Sequence, residues 1–189
     1  MNWTAVLPLR QGHDPKTRLA PRLSAPQRIA LARAMAGHVL DALSACPRVG
    51  RIILLSPDAA ADGMAGEWRR DEGRGLNVEL NALRAALGEP AMLVVHGDLP
   101  LLSTQDVVAM IDAAQAHGCA LAPDQHGAGT NAVALMNGFG MDFAFGPNSL
   151  RLHRAVAPEA ALVRRPGLAM DVDTPADLDA ALAAGFNPG

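Results

Sequence analysis

Apolar and polar positions along this chain follow two periods, and the period switches from segment to segment. "TAVLPL" near the start and "RIILLSP" from residue 51 are short apolar runs of strand length. Between them, "PQRIALARAMAGHVLDALSAC" sets Ile29, Leu31, Ala32, Met35, Val39 and Leu43 largely along one helical face, with Pro26 opening the helix and Ser24 as its candidate cap. The stretch "DAAADGMAGEWRRDEGRG" has weak periodicity and is expected to be a loop with at most one helical turn. "LNVELNALRAAL" is expected to be helical, opening after Gly73 and Gly75. Ala91 to Val95, bounded by Pro90 and Gly97, reads as a strand covered on both faces, as in parallel sheets.

The remaining pattern predicts a helix from about Thr104 to His117 capped by Ser103, and strands at "CALAPD" and "TNAVALM". "GPNSLRLHRAV" reads as a turn entering a helix, and "GLAMDVDTPADLDAAL" as a strand handing over to a last helix. Strands and helices alternating at this length predict a three-layer α/β sheet in a single domain over 1–189. No internal repeat, low-complexity tract or linker interrupts it.

Composition narrows the function class. A chain of 189 residues that is 50% hydrophobic can bury a substantial core as one domain. The net charge of -3 and the absence of a Lys/Arg cluster argue against a nucleic-acid surface, which needs a basic stripe. Cys46 and Cys119 lie far apart without a Cys-x-x-Cys motif, and neither a signal peptide nor a membrane-length apolar run is apparent. A cytoplasmic chain with no membrane partner is therefore expected. His13, His38, His96, His117, His126 and His153 are scattered without metal-ligand spacing, which argues against structural zinc.

Chemistry concentrates at a few places. Asp98, in "MLVVHGDLPLLS", stands just past a strand end, where open parallel sheets meet their ligands; shaping the turn before Pro100 is the plainer role. Among 16 basic residues Lys16 is the sole lysine, in the loop "LRQGHDPKTRLAP" after the first strand. A compact ammonium approaches a phosphate where a planar guanidinium does not, so Arg10, Lys16 and Arg18 read as a cationic lid over a polyphosphate, against the alternative of a solvated basic loop.

In "MDVDTPADL", Asp171 and Asp173 point to one side of an extended segment, an arrangement that a cation such as magnesium relieves. Helix capping by Asp173 or Thr174 is the competing reading, and it leaves Asp171 unexplained. "GAGTNAVAL" presents Thr130 before a strand, and "FGPNSLRLHRA" places Gly146, Asn148 and Ser149 at a helix N-terminus, where amides and dipole attract an anion.

These stretches in their order resemble the 2-phospho-L-lactate / phosphoenolpyruvate / 3-phosphoglycerate guanylyltransferases of coenzyme F-420 biosynthesis. The likeness is carried by "VLPLRQGHDPKTRLAP", "GLNVELNAL", "HGDLPLL", "GAGTNAVAL", "FGPNSLRLHRA" and "GLAMDVDTPADLDAAL", from the first strand to the last helix. The chain departs from the family pattern at "QGHD" and His96.

The resemblance implies a Rossmann-like nucleotidyltransferase fold of the nucleotide-diphospho-sugar transferase type, with a mixed, mostly parallel sheet. It implies GTP and a small phosphorylated carboxylic acid as partners, and Mg2+ as cofactor. It assigns Arg10, Lys16, Arg18 and Asn77 to the nucleotide, and Asp98 with Asp171 or Asp173 to magnesium. Thr130, Gly146 and Ser149 fall to the acid, and Lys16, Asp98 and Asp171 to catalysis. Such folds often form homodimers. Two other readings stay open: an NTP transferase of the same fold acting on a molybdenum-pterin cofactor or a sugar phosphate, and a GTP-binding protein without turnover.

Overall fold

The period-two alternation sorts the strand residues onto two faces of one sheet, and each face is covered by helices. The computed structural model describes residues 2–9, 16–59 and 64–188. Its strands are β1 (Trp3–Pro8), β2 (Val49–Ser56), β3 (Glu67–Arg70), β4 (Met92–Val95), β5 (Cys119–Pro123), β6 (Thr130–Leu135) and β7 (Ala161–Leu162). The helices are α1 (Ala25–Ser44), α2 (Leu76–Ala86), α3 (Thr104–His117), α4 (Ser149–Val156), α5 (Pro166–Ala169) and α6 (Pro175–Ala183).

Trp3, Ala5 and Leu7 of β1, Leu93 and Val95 of β4, and Ala132 and Ala134 of β6 pack with α1 and α3. Val6, Met92, Val94, Val133 and Leu135 face the other way, against Leu80 of α2 and Leu150 of α4. A third cluster joins Leu19, α1 through Leu31 and Met35, and the C-terminal Val172, Leu178, Ala181 and Phe186.

The sheet order is β3-β2-β1-β4-β6-β5-β7. β1 runs parallel to both β2 and β4, while β6 lies antiparallel to β4 and β5, so the sheet is mixed and mostly parallel as expected. The chain moves outward from β1 through β2 to β3, then crosses back to put β4 on the other side of β1. That reversal makes the carboxyl ends of β1 and β4 a topological switch point, where such sheets bind ligands.

Two expectations change. Residues 67–70 form edge strand β3 rather than part of a loop: Glu67 pairs with Ile53 of β2 in parallel register, and its carboxylate holds Arg51 and Arg69. The pattern hid this strand because polar side chains and main-chain bonds, not buried alternation, hold it. The strand expected in "GLAMDVD" is instead the single turn α5 followed by extended chain outside the sheet. Arg165, just before α5, pairs with the buried Asp106 of α3, and Gly167 packs so tightly that a β-carbon there would collide with the Asp106 carboxylate and the Leu101 carbonyl.

Candidate functional site

Asp98 stands just beyond the end of β4 at the switch point, Lys16 meets it there, and Asp173 arrives on the approach to α6. Lys16 Nζ donates to Asp98 Oδ2 at 2.7 Å and to Asp173 Oδ1 at 2.8 Å. Lys16 is left-handed (φ 54, ψ 45), a conformation that costs a non-glycine residue free energy and that the surroundings must enforce. Burial would pull the lysine's pKa down, but the two carboxylates outweigh it and the net shift is upward. Arg18 reaches Asp173 from the exposed side at 3.8 Å. The structure therefore joins Lys16, Arg18, Asp98 and Asp173 in one charged cluster. Arg10 lies outside the described residues.

The two acidic segments are tied together by main chain, since the Val172 N–H donates to the Asp98 carbonyl at 3.2 Å. Val172 is buried in the core, and Asp171 and Asp173 flank it. Capping of α6 falls to Thr174 and Asp177, which form a reciprocal capping box, and this leaves Asp173 to Lys16. Burial tends to push the Asp98 carboxyl up, but the Lys16 ammonium, with help from His96, holds it below the usual range. Asp171 shifts upward, through burial first and the nearby Asp98 charge second, against a hydrogen bond from Asn131. Two carboxyl groups at adjoining chain ends are thus pushed apart in acidity.

Asp98 Oδ1 is buried and accepts no hydrogen bond from the described residues. Among those residues no three His, Cys, Asp or Glu side chains converge into a cage for an ion. Magnesium commonly uses one or two carboxylates and completes its shell with water and substrate phosphate, so this donor set fits it.

Thr130 and Ser149 come together on the opposite side of β6. The ladder slips between Ala122 and Pro123. Strict alternation from Ala132 would turn Thr130 towards α1 and α3; beyond the slip it meets Ser149 and His153 of α4 instead. Ser149 Oγ donates to Thr130 Oγ1 at 3.2 Å, and both side chains are buried. Asn131 turns the other way, its amide donating to the Leu168 carbonyl at 3.0 Å and to Asp171 Oδ1 at 3.2 Å. Adjacent residues of β6 thereby touch the two halves of the site.

Gly146 is exposed, has φ 130, and would carry a β-carbon into open space, so its main chain can be approached closely. Asn148 caps α4 in a left-handed conformation (φ 58) that asparagine tolerates. Asn77, expected near the base, spends its amide differently: its Nδ2 donates to the Phe145 carbonyl at 2.9 Å, and its Oδ1 accepts the Phe145 N–H at 2.7 Å. Asn81 accepts the Phe143 N–H in the same way, so α2 props up the chain leading to Gly146. Asn131 and His153 carry no role in the sequence reading. The signal for Asn131 is only its place in "GAGTNAVAL", and His153 is one of six histidines without a shared spacing.

The family model described as Guanylyl transferase CofC like matches residues 3–186. A phosphoenolpyruvate guanylyltransferase from Sphaerobacter thermophilus is 39% identical over 194 residues, covering 95% of this chain and 92% of its own. Among solved structures, a putative nucleotide-diphospho-sugar transferase from Desulfovibrio desulfuricans has a TM-score of 0.74 at 17% identity, covering 99% of this chain and 89% of its own. A nucleotidyl transferase from Methanothermobacter has a TM-score of 0.67 at 16% identity, covering 97% and 99%. At these identities the solved structures speak to the fold alone.

Proposed function

The chain belongs to the CofC-like guanylyl transferase family and is a nucleotidyltransferase, and from that premise we propose that it joins GMP from GTP to a phosphorylated three-carbon acid, releasing pyrophosphate. The observation that carries the proposal is the Lys16–Asp98–Asp173 cluster at the switch point, with the Thr130–Ser149 hydroxyls across β6 from it. Phosphoenolpyruvate is the first acceptor to consider, because relatives covering most of the chain carry that name; 2-phospho-L-lactate and 3-phospho-D-glycerate present the same phosphate and carboxylate. The product would enter coenzyme F-420 biosynthesis.

The attacking group is a phosphate oxygen ionised at neutral pH, so the reaction needs no general base and rests on positioning and charge neutralisation. That oxygen forms a bond to the α-phosphorus of GTP as the bond to the bridging oxygen breaks, and pyrophosphate leaves with the electron pair. Lys16 stays protonated throughout the physiological range and brings positive charge to the triphosphate, with Arg18 outside it. Asp98 with Asp171 or Asp173 would hold magnesium, which when bound supplies further charge neutralisation at the phosphates. Thr130, Gly146 and Ser149 are assigned to the acceptor, whose negative charge suits the N-terminus of α4.

Incubation with GTP, magnesium and each acid separately, read by pyrophosphate release and product mass, tests the proposal. A diphosphate-linked guanosine product from one acid is expected. Turnover with a sugar phosphate or a pterin and with none of the three acids would replace it.

A further inference from the structure

His153 is 1% exposed and lies between the two segments assigned to the acceptor. Its Nε2 accepts the Ala144 N–H at 2.9 Å, and a backbone amide can only donate, so that nitrogen carries no proton. The proton of the neutral ring is then on Nδ1, which lies 3.2 Å from Thr130 Oγ1 and donates to it. Thr130 Oγ1 also receives the Ser149 hydroxyl, so both its acceptor positions are filled. Its own O–H hydrogen is what remains for a further partner. Phe145 closes the imidazole from the side, edge to face at 5.3 Å, and burial together with nearby His96 lowers the ring's pKa to about 4.

We propose that His153 is a positioning residue for the acceptor acid: one imidazole, fixed as the Nδ1–H tautomer, orients the Thr130 hydroxyl hydrogen and anchors the main chain that leads to Gly146. The inference rests on the assignment of Thr130, Gly146 and Ser149 to the acceptor. His153 touches neither substrate. Its two nitrogens act on two different pocket elements, so substitutions that keep one nitrogen's role separate the two contributions. Asparagine brings an amide N–H to about the Nδ1 position and keeps the Thr130 arm; glutamine brings an amide oxygen to about the Nε2 position and keeps the Ala144 arm.

Steady-state kinetics of the wild type, His153→Asn, His153→Gln and His153→Ala, with phosphoenolpyruvate and GTP varied separately, test this. Long-range proton–nitrogen NMR of the wild type fixes the tautomer without any variant. Expected are a protonated Nδ1 with a bare Nε2, an acceptor KM raised about tenfold in each single-arm variant and further in His153→Ala, and a GTP KM within about twofold of native. A purely structural histidine would lower kcat through loss of active protein and leave both KM values alone. That outcome, an equal rise in both KM values, or an Nε2–H tautomer would overturn the inference. Wild-type protein that transfers GMP to none of the three acids would instead overturn the functional reading beneath it.

Discussion

At the scale of single residues, the site turns on how closely a cation fits. The Lys16 side chain is 13% exposed and its nitrogen sits 2.7 and 2.8 Å from two carboxylates, a space shaped for an ammonium. A guanidinium is wider and planar, so Lys16→Arg should reduce turnover nearly as much as Lys16→Ala, in a chain whose other basic residues are all arginine. Near-native activity in Lys16→Arg would return the residue to a solvated loop. Asp98→Asn keeps the shape but removes the charge that holds Lys16, and turnover should fall roughly a hundredfold or more while thermal unfolding stays cooperative. A variant working at the native rate would make Asp98 a turn former. The sequence made both residues legible because each is chemically conspicuous: a lone lysine, and an acid at a strand end. Asn131 and His153 were not legible: the β-slip in β6 turns Asn131 towards α5 and brings Thr130 to the His153 of α4, and no local pattern encodes that slip.

At the scale of elements, legibility followed how local the holding interactions are. Helix α3 begins at Thr104 with Ser103 as its cap, as the pattern predicted, because capping chemistry is local; Asp106 completes a capping box that the pattern did not name. β3 and α5 escaped the reading because their partners are distant in sequence: Arg51 for Glu67, and Asp106 for Arg165. α5 also positions the site, since Asn131 binds the carbonyls of Leu168 and Ala169 and the chain proceeds directly to Asp171 and Asp173. Gly167→Ala should therefore lift α5 from α3, costing roughly 1 to 3 kcal/mol of stability, the range for overpacked sites. It should also depress turnover more than an exposed change of the same size, such as Gly140→Ala, where a β-carbon meets nothing. Paired urea titrations and rate measurements decide this; equal behaviour of the two variants would mean that α5 does not hold the acidic residues in place.

At the scale of the whole molecule, the buried polar network makes stability depend on pH in a direction that can be worked out. His153 has a pKa of about 4 in the folded chain against 6.5 for an ordinary histidine. Between those values the unfolded chain binds the proton and the folded chain does not, so stability rises with pH through this window. The contribution is fully present above about pH 6.5, falls as pH drops, and levels off below about pH 4. Its upper size is about 3.5 kcal/mol, at about 1.4 kcal/mol for each tenfold. Asp171 works in the opposite sense, because its raised pKa lets the folded chain take up a proton before the unfolded one. Asp98 and Asp177, both lowered, lose their contribution only at still more acid pH. The net slope of the wild type mixes these groups, so the measurement has to be a difference. Urea denaturation at pH 7, 5.5 and 4 should give a flatter stability curve for His153→Gln than for the wild type, with the gap between them closing as pH falls, because the variant has no imidazole to protonate on unfolding. Parallel curves would show that the His153 ring takes up its proton as readily in the folded chain as in the unfolded one, and that the neutral donor aimed at Thr130 is not what the fold maintains.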